Sequence, residues 1–243
     1  ISMIELERDD TVFVLTMTDD ENRWNTTFVR EFAKALDEVE ASEGAAALVT
    51  LSAHDKFFSN GLDLEWISTQ GEHRGGNRVP FGVEFMELMG RIITLPVPTI
   101  AAVNGHAFGA GFMCALSHDV RLMREDRGYL CANELQIGLT IPEPEIALFR
   151  HKIPASAFHE TVILSRRWTA NAAVAAGFVE AAVAHDELRN AGITRAAELA
   201  PLATHRANFG WQKEAMYGEN AALNGPHGAA HMLKNMSEFT TSH

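Results

Sequence analysis

Cysteine is nearly absent: the 243 residues contain two, Cys114 and Cys131, with no CxxC pair, so neither a disulfide framework nor a cysteine-based zinc site is indicated. Reduced thiols fit a cytoplasmic protein. Basic residues are also scarce, 20 Lys and Arg against 32 Asp and Glu, and they do not cluster. A nucleic-acid backbone needs concentrated cations, so no nucleic-acid partner is expected. A small anion held by a few side chains or by helix-start amides remains open. No apolar run approaches the roughly 18 to 20 residues of a membrane-spanning helix, and Ile1-Ser2-Met3 has neither a basic nor an apolar leader character, so no membrane insertion and no secretion are expected. Several motifs are missing as well. There is no GxGxxG dinucleotide turn, no GxxxxGK[ST] phosphate loop, no HExxH zinc pair and no GxSxG nucleophile elbow. His227 and His231 flank Gly228 and read as surface residues, so no metal is expected.

What is present is an ordinary globular composition, 47% hydrophobic and 21% charged, which argues against disorder. Residues 4–8 and 12–17 read as two strands joined at Asp9-Asp10, a hairpin. Phe28, Phe32, Ala35, Leu36 and Val39 recur at helical spacing behind Asn25-Thr26-Thr27, which predicts a helix over about 27–41. The continuous apolar run 45–51 predicts a strand covered on both faces. The order repeats with a helix over about 84–95, the breakers Pro96 and Pro98, and a strand over 99–103. An α/β fold follows. Residues 68–80, polar and rich in Gly and Arg, are expected to form a mobile surface loop that tightens on ligand binding. Beyond about residue 155 strand signals fade, leaving helical patterns over 170–176, 193–200 and 231–239.

Three loops carry chemistry, each after an expected strand: residues 56–64, 104–112 and 133–142. Segments leaving strand ends in such folds commonly meet at one ligand crevice. Gly109-Ala110-Gly111 opens an apolar helix, whose free amides and positive dipole end suit a developing negative oxygen. Gly61 permits a backbone that aims the Leu62 amide outward, and Asp63 fits a turn or helix cap. Glu134 sits among Leu130, Leu135, Ile137 and Leu139, where partial burial would raise its pKa towards the range useful for proton transfer. Taken singly, each has a plainer explanation: a tight packed turn, an Asx turn, an exposed loop glutamate.

Together, in this order and spacing, the FxxGxD loop at 58–63, the NGxxxGxG turn at 104–111 and the glutamate ahead of IGxxxP at 137–142 resemble the crotonase, or enoyl-CoA hydratase/isomerase, superfamily, from about residue 4 to at least 183. The resemblance implies a ββα-spiral core over 3–190 with a helical appendage, 191–243, through which trimers or dimers of trimers form. It implies an acyl-CoA thioester substrate, with coenzyme A as part of the substrate and no separate cofactor. By the same resemblance the amides of Leu62 and Ala110 bind the thioester oxygen. The stretch from Lys56 through Phe58 to Asn60 receives the adenine end. Gly61, Asp63 and Gly109 shape the hole, and Trp66, Met113 and Leu139 border the acyl chain.

Family hydratases hold a water between two glutamates, and the first of those positions is Met113 here. A thioether accepts no proton, so the resemblance implies a Δ3,Δ2-enoyl-CoA isomerase with Glu134 as single acid/base, similar to the peroxisomal type. Two alternatives stay open: a hydratase using Glu143 or Glu145 as second carboxylate, and an acyl-CoA-binding protein without turnover. The direction of the Glu134 side chain discriminates the last of these.

Overall fold

A computed structural model describes residues 2–70, 81–218 and 228–239. The expected hairpin is β1 (Ile4–Asp9) paired antiparallel with β2 (Val12–Met17). Then follow α1 (Thr26–Ala41), β3 (Ala47–Ser52), β4 (Phe57–Ser59) and α2 (Leu64–Gln70). After residues 71–80 come α3 (Phe81–Thr94), β5 (Thr99–Val103), β6 (His106–Phe108), α4 (Ala110–Ser117) and β7 (Val120–Arg124). The second half holds β8 (Leu130–Cys131), α5 (Glu143–Lys152), α6 (Ala155–Val162), α7 (Ala170–Ala176), β9 (Ala181–Val183), α8 (Leu188–Leu199), α9 (Arg206–Tyr217), α10 (Ala229–Lys234) and α11 (Met236–Phe239).

Two sheets result. The larger runs β1-β2-β3-β5-β7-β9, parallel throughout apart from the hairpin, and the smaller runs β4-β6-β8, all parallel. Side chains alternate across a strand, so β2 sends Phe13, Leu15 and Met17 to one face and Val12 and Val14 to the other. The first face meets the α1 stripe of Phe28, Phe32, Leu36 and Val39, with Asn25 capping that helix by accepting the Phe28 amide at 3.0 Å. The second face is covered by α8, where Gly192 lets the helix approach Val49. Burial on both faces is why β3 and β5 read as unbroken apolar runs.

Two expectations change. A strand, β9, lies where strand signals had faded; its three half-buried residues are held by pairing with β7 rather than by their own pattern. Residues 68–70 belong to α2, because Asp63 Oδ1 accepts the Trp66 amide at 2.9 Å and starts a helix there. The remainder of the expected loop, 71–80, lies outside the described residues, as does His227. The boundary expected at residue 190 falls within α8. Among the described residues no helix is long and apolar enough to cross a membrane.

Candidate active site

The small sheet sets β4, β6 and β8 side by side, so the loops that leave them emerge together. Close packing between the first two loops depends on missing side chains. Gly61 has φ near +80°, and a Cβ there would stand 2.9 Å from the Phe108 carbonyl oxygen and 3.8 Å from the Ala110 amide nitrogen. A Cβ at Gly111 would collide with the Ser59 carbonyl oxygen. Any larger residue at these points would push the loops apart.

This contact places two free amides near each other. Gly61 N–H donates to Ser59 Oγ, Asp63 N–H to the Trp24 carbonyl and Gly109 N–H to the Cys131 carbonyl. Among the described residues, the amides between them, Leu62 and Ala110, have no acceptor. Ala110 is the first residue of α4, so its amide also lies at the positive end of that helix. Two unpaired amides beside a cleft can hold an oxygen that gains negative charge.

The third loop brings the carboxylate. Residues Glu134–Ile137 form one 3₁₀ turn, closed by left-handed Gly138 and by the Leu139 amide donating to the Glu134 carbonyl at 2.9 Å. Glu134 is thereby turned towards α4: a Cβ on Gly109 would lie 3.0 Å from its Oε1. The cleft between the loops, about 170 Å³, is lined by Leu62, Ala110, Glu134, Ile137, Leu139 and the exposed Arg23, among others. Burial raises the Glu134 carboxyl, with its own amide and Glu145 pulling the other way. Arg23 pairs with Glu21 at 2.6 Å, and Glu21 also accepts from Asn60 at 2.7 Å, which ties the cleft edge to β4.

Of the residues expected at the site, Leu62, Ala110, Glu134, Asn60, Gly61, Gly109 and Leu139 come together around this cleft. Asp63 sits behind them as the α2 cap. Four are placed elsewhere. Phe58 and Met113 are fully buried in the main core, Trp66 packs edge-on against Phe81, and Lys56 is exposed with its ammonium over the Phe57 ring. Met113 lies on an α4 turn buried all round, which is why it fills the core and does not face the cleft. Glu143 is exposed, whereas Glu145 is buried against Glu134. Arg23 had no sequence signal, being one polar residue in a polar loop. Both thiols are buried and pushed up, Cys131 to about 11, so neither is an available nucleophile.

The family model described as enoyl-CoA hydratase/isomerase matches residues 7–242. The chain belongs to that family. Among its relatives is the peroxisomal enoyl-CoA delta isomerase 2 of Arabidopsis thaliana, 39% identical over 189 residues, or 76% of this chain and 79% of the relative. Enoyl-CoA delta isomerase 3 of the same plant is 37% identical over 76% of this chain and 78% of its own length. A Bacillus anthracis enoyl-CoA hydratase structure superposes with a TM-score of 0.78 at 21% identity, covering 98% of this chain and 90% of that one. Likeness at that identity carries the fold, which is the crotonase fold.

Proposed function

We propose that this chain is a Δ3,Δ2-enoyl-CoA isomerase, and the observation that carries the reading is the Glu134 carboxylate in one cleft with the free Leu62 and Ala110 amides. A 3-enoyl thioester bound there with its carbonyl oxygen between the amides presents C2 to Glu134. Removal of the C2 proton moves the electron pair through the conjugated system onto the thioester oxygen, where the two amides receive the charge. Return of the proton from Glu134 to C4 leaves the double bond between C2 and C3. The shift moves one proton and consumes no cofactor. Arg23, exposed and lining the cleft, offers a cation for the phosphates of coenzyme A, and Lys56 with the 56–60 backbone offers a place for its adenine end.

Two further observations support isomerisation over its rivals. Met113 occupies the position where family hydratases keep a second glutamate and is buried in the core, and Glu145, the other candidate second carboxylate, meets Glu134 from behind without lining the cleft. The Glu134 side chain faces the cleft instead of solvent, which favours turnover over passive binding. A trimer is supported by exposed apolar residues such as Leu164, Leu202 and Trp211, of which Trp211 is 69% exposed. A stable monomer in sedimentation at micromolar concentration contradicts the trimer.

The deciding experiment is a panel of 3-enoyl-CoA and 2-enoyl-CoA thioesters of graded length. Conversion of the 3-enoyl forms, with little water addition to the 2-enoyl forms, is expected. Efficient hydration of 2-enoyl-CoA contradicts the reading.

A further inference from the structure

Glu145 stands out among groups that the proposed reaction does not use. It is 5% exposed, on the first turn of α5, and its carboxyl lies within hydrogen-bonding reach of Glu134. Its helical phase explains the burial, since Leu148 and Phe149, three and four residues on, point to the same interior. Oε1 of Glu145 and Oε2 of Glu134 are both buried, with no donor among the described residues. Two carboxylates side by side in a dry site cannot both be ionised, and as anions neither can donate to the other. One added proton resolves both defects at once, giving a donor and an acceptor.

Resting on the reading of Glu134 as the base, we propose that Glu145 is a positioning residue that keeps a proton and donates it as a hydrogen bond to the Glu134 carboxylate, so that the pair shares a single proton. The division of labour follows from burial. Glu145 is the more enclosed and does not line the cleft, so it is the partner that stays neutral. Burial first, then the charge of Glu134, pushes its carboxyl well above the ordinary range. Among the described residues no cation figures in the shift of either carboxyl. The groups that act on Glu145 are burial and Glu134, those on Glu134 are burial, its own amide and Glu145, and the neighbouring Cys131 thiol is itself pushed up by burial. The donated bond holds the Glu134 carboxylate in one orientation towards Gly109 and the cleft. Loss of the Glu145 proton at high pH would place two anions together and release that orientation.

Two substitutions test this. Glu145→Gln keeps a donor that does not titrate, and Glu145→Leu removes the donor while keeping an apolar side chain of similar bulk. Wild-type kcat is expected to fall at alkaline pH as the pair loses its shared proton. Glu145→Gln should keep near-wild-type kcat at neutral pH and lose that alkaline fall. Glu145→Leu should drop kcat by about 10² with KM little changed, the size of effect a misplaced catalytic group produces. Without any substrate, the infrared carbonyl band of a protonated buried carboxyl should be present in the wild type at neutral pH and missing from Glu145→Gln. Equal kcat and equal pH profiles in all three proteins, or the same infrared band in wild type and Glu145→Gln, would overturn the proposal. If the infrared band behaves as expected but no 3-enoyl thioester is converted, the carboxyl pair stands and the isomerase reading fails.

Discussion

Two buried polar clusters in this protein differ in one respect, whether their hydrogen bonds are complete. Behind the sheet, Asp119 accepts from the Thr99 amide at 2.9 Å and hydroxyl at 3.1 Å and pairs with Lys213 at 2.7 Å, while Lys213 also donates to the Val97 carbonyl at 3.1 Å. Next to it, the His118 ring lies 2.8 Å from both the Cys114 carbonyl and the Thr50 hydroxyl, and Arg121 donates to the Phe178 and His118 carbonyls. This cluster fastens α9 to the sheet. The cleft cluster is the reverse: among the described residues, two amides have no acceptor and two carboxyl oxygens have no donor. A satisfied buried network rigidifies, and an unsatisfied one costs stability unless a ligand or a proton completes it. The difference separates a structural lock from a site built to receive charge.

The comparison breaks most visibly at Glu134. Replacing it with Gln keeps the shape and removes the base, so kcat should fall by about 10² to 10⁴ while acyl-CoA binding survives. Stability should be unchanged or higher, because a buried carboxyl whose charged form burial disfavours has been removed. Turnover assays with calorimetric binding and thermal melts check all three. The lock should respond in the opposite way. Lys213→Met leaves the half-buried Asp119 without its main cation and should lower stability, seen as a lower denaturant midpoint. Turnover per folded molecule should not change.

A smaller effect sharpens the contrast through pH. Burial lowers the pKa of His118 to about 4 from 6.5, so between these values the unfolded chain binds more protons than the folded one. Stability is therefore complete above pH 6.5 and declines as pH falls towards 4, by at most about 1.4 kcal/mol per pH unit. His118→Gln should flatten that decline in denaturant titrations. Glu145 has the opposite sign: its raised carboxyl contributes stability while protonated, and that contribution is lost as pH rises through its folded value.

Legibility in the sequence follows the same division. Strands β2, β3 and β5 and helix α1 carry their own apolar period, and their bounds could be read closely. Strands β4, β6, β8 and β9 have two or three residues each and exist through pairing with distant partners, which no local pattern records. At the site, the glycine turns and Glu134 were legible through their joint order and spacing, since each alone has a plainer explanation. Glu143 and Glu145 could not be ranked from their proximity to Pro142 and Pro144. The phase of Leu148 and Phe149 would have separated them, since Glu145 shares their face. The direction of Met113 could not be read, because an apolar residue on a short helix buried all round carries no sign of which side it faces.

On the proposed reading the incomplete cluster abstracts and returns a proton next to a thioester. Its most direct test is hydrogen exchange in heavy water, with 3-enoyl-CoA followed by NMR. Wild-type protein should carry deuterium into C2 of the remaining substrate or C4 of the product, and Glu134→Gln, still binding the thioester, should do so at least about 10² more slowly. Exchange at an undiminished rate in Glu134→Gln would contradict the account.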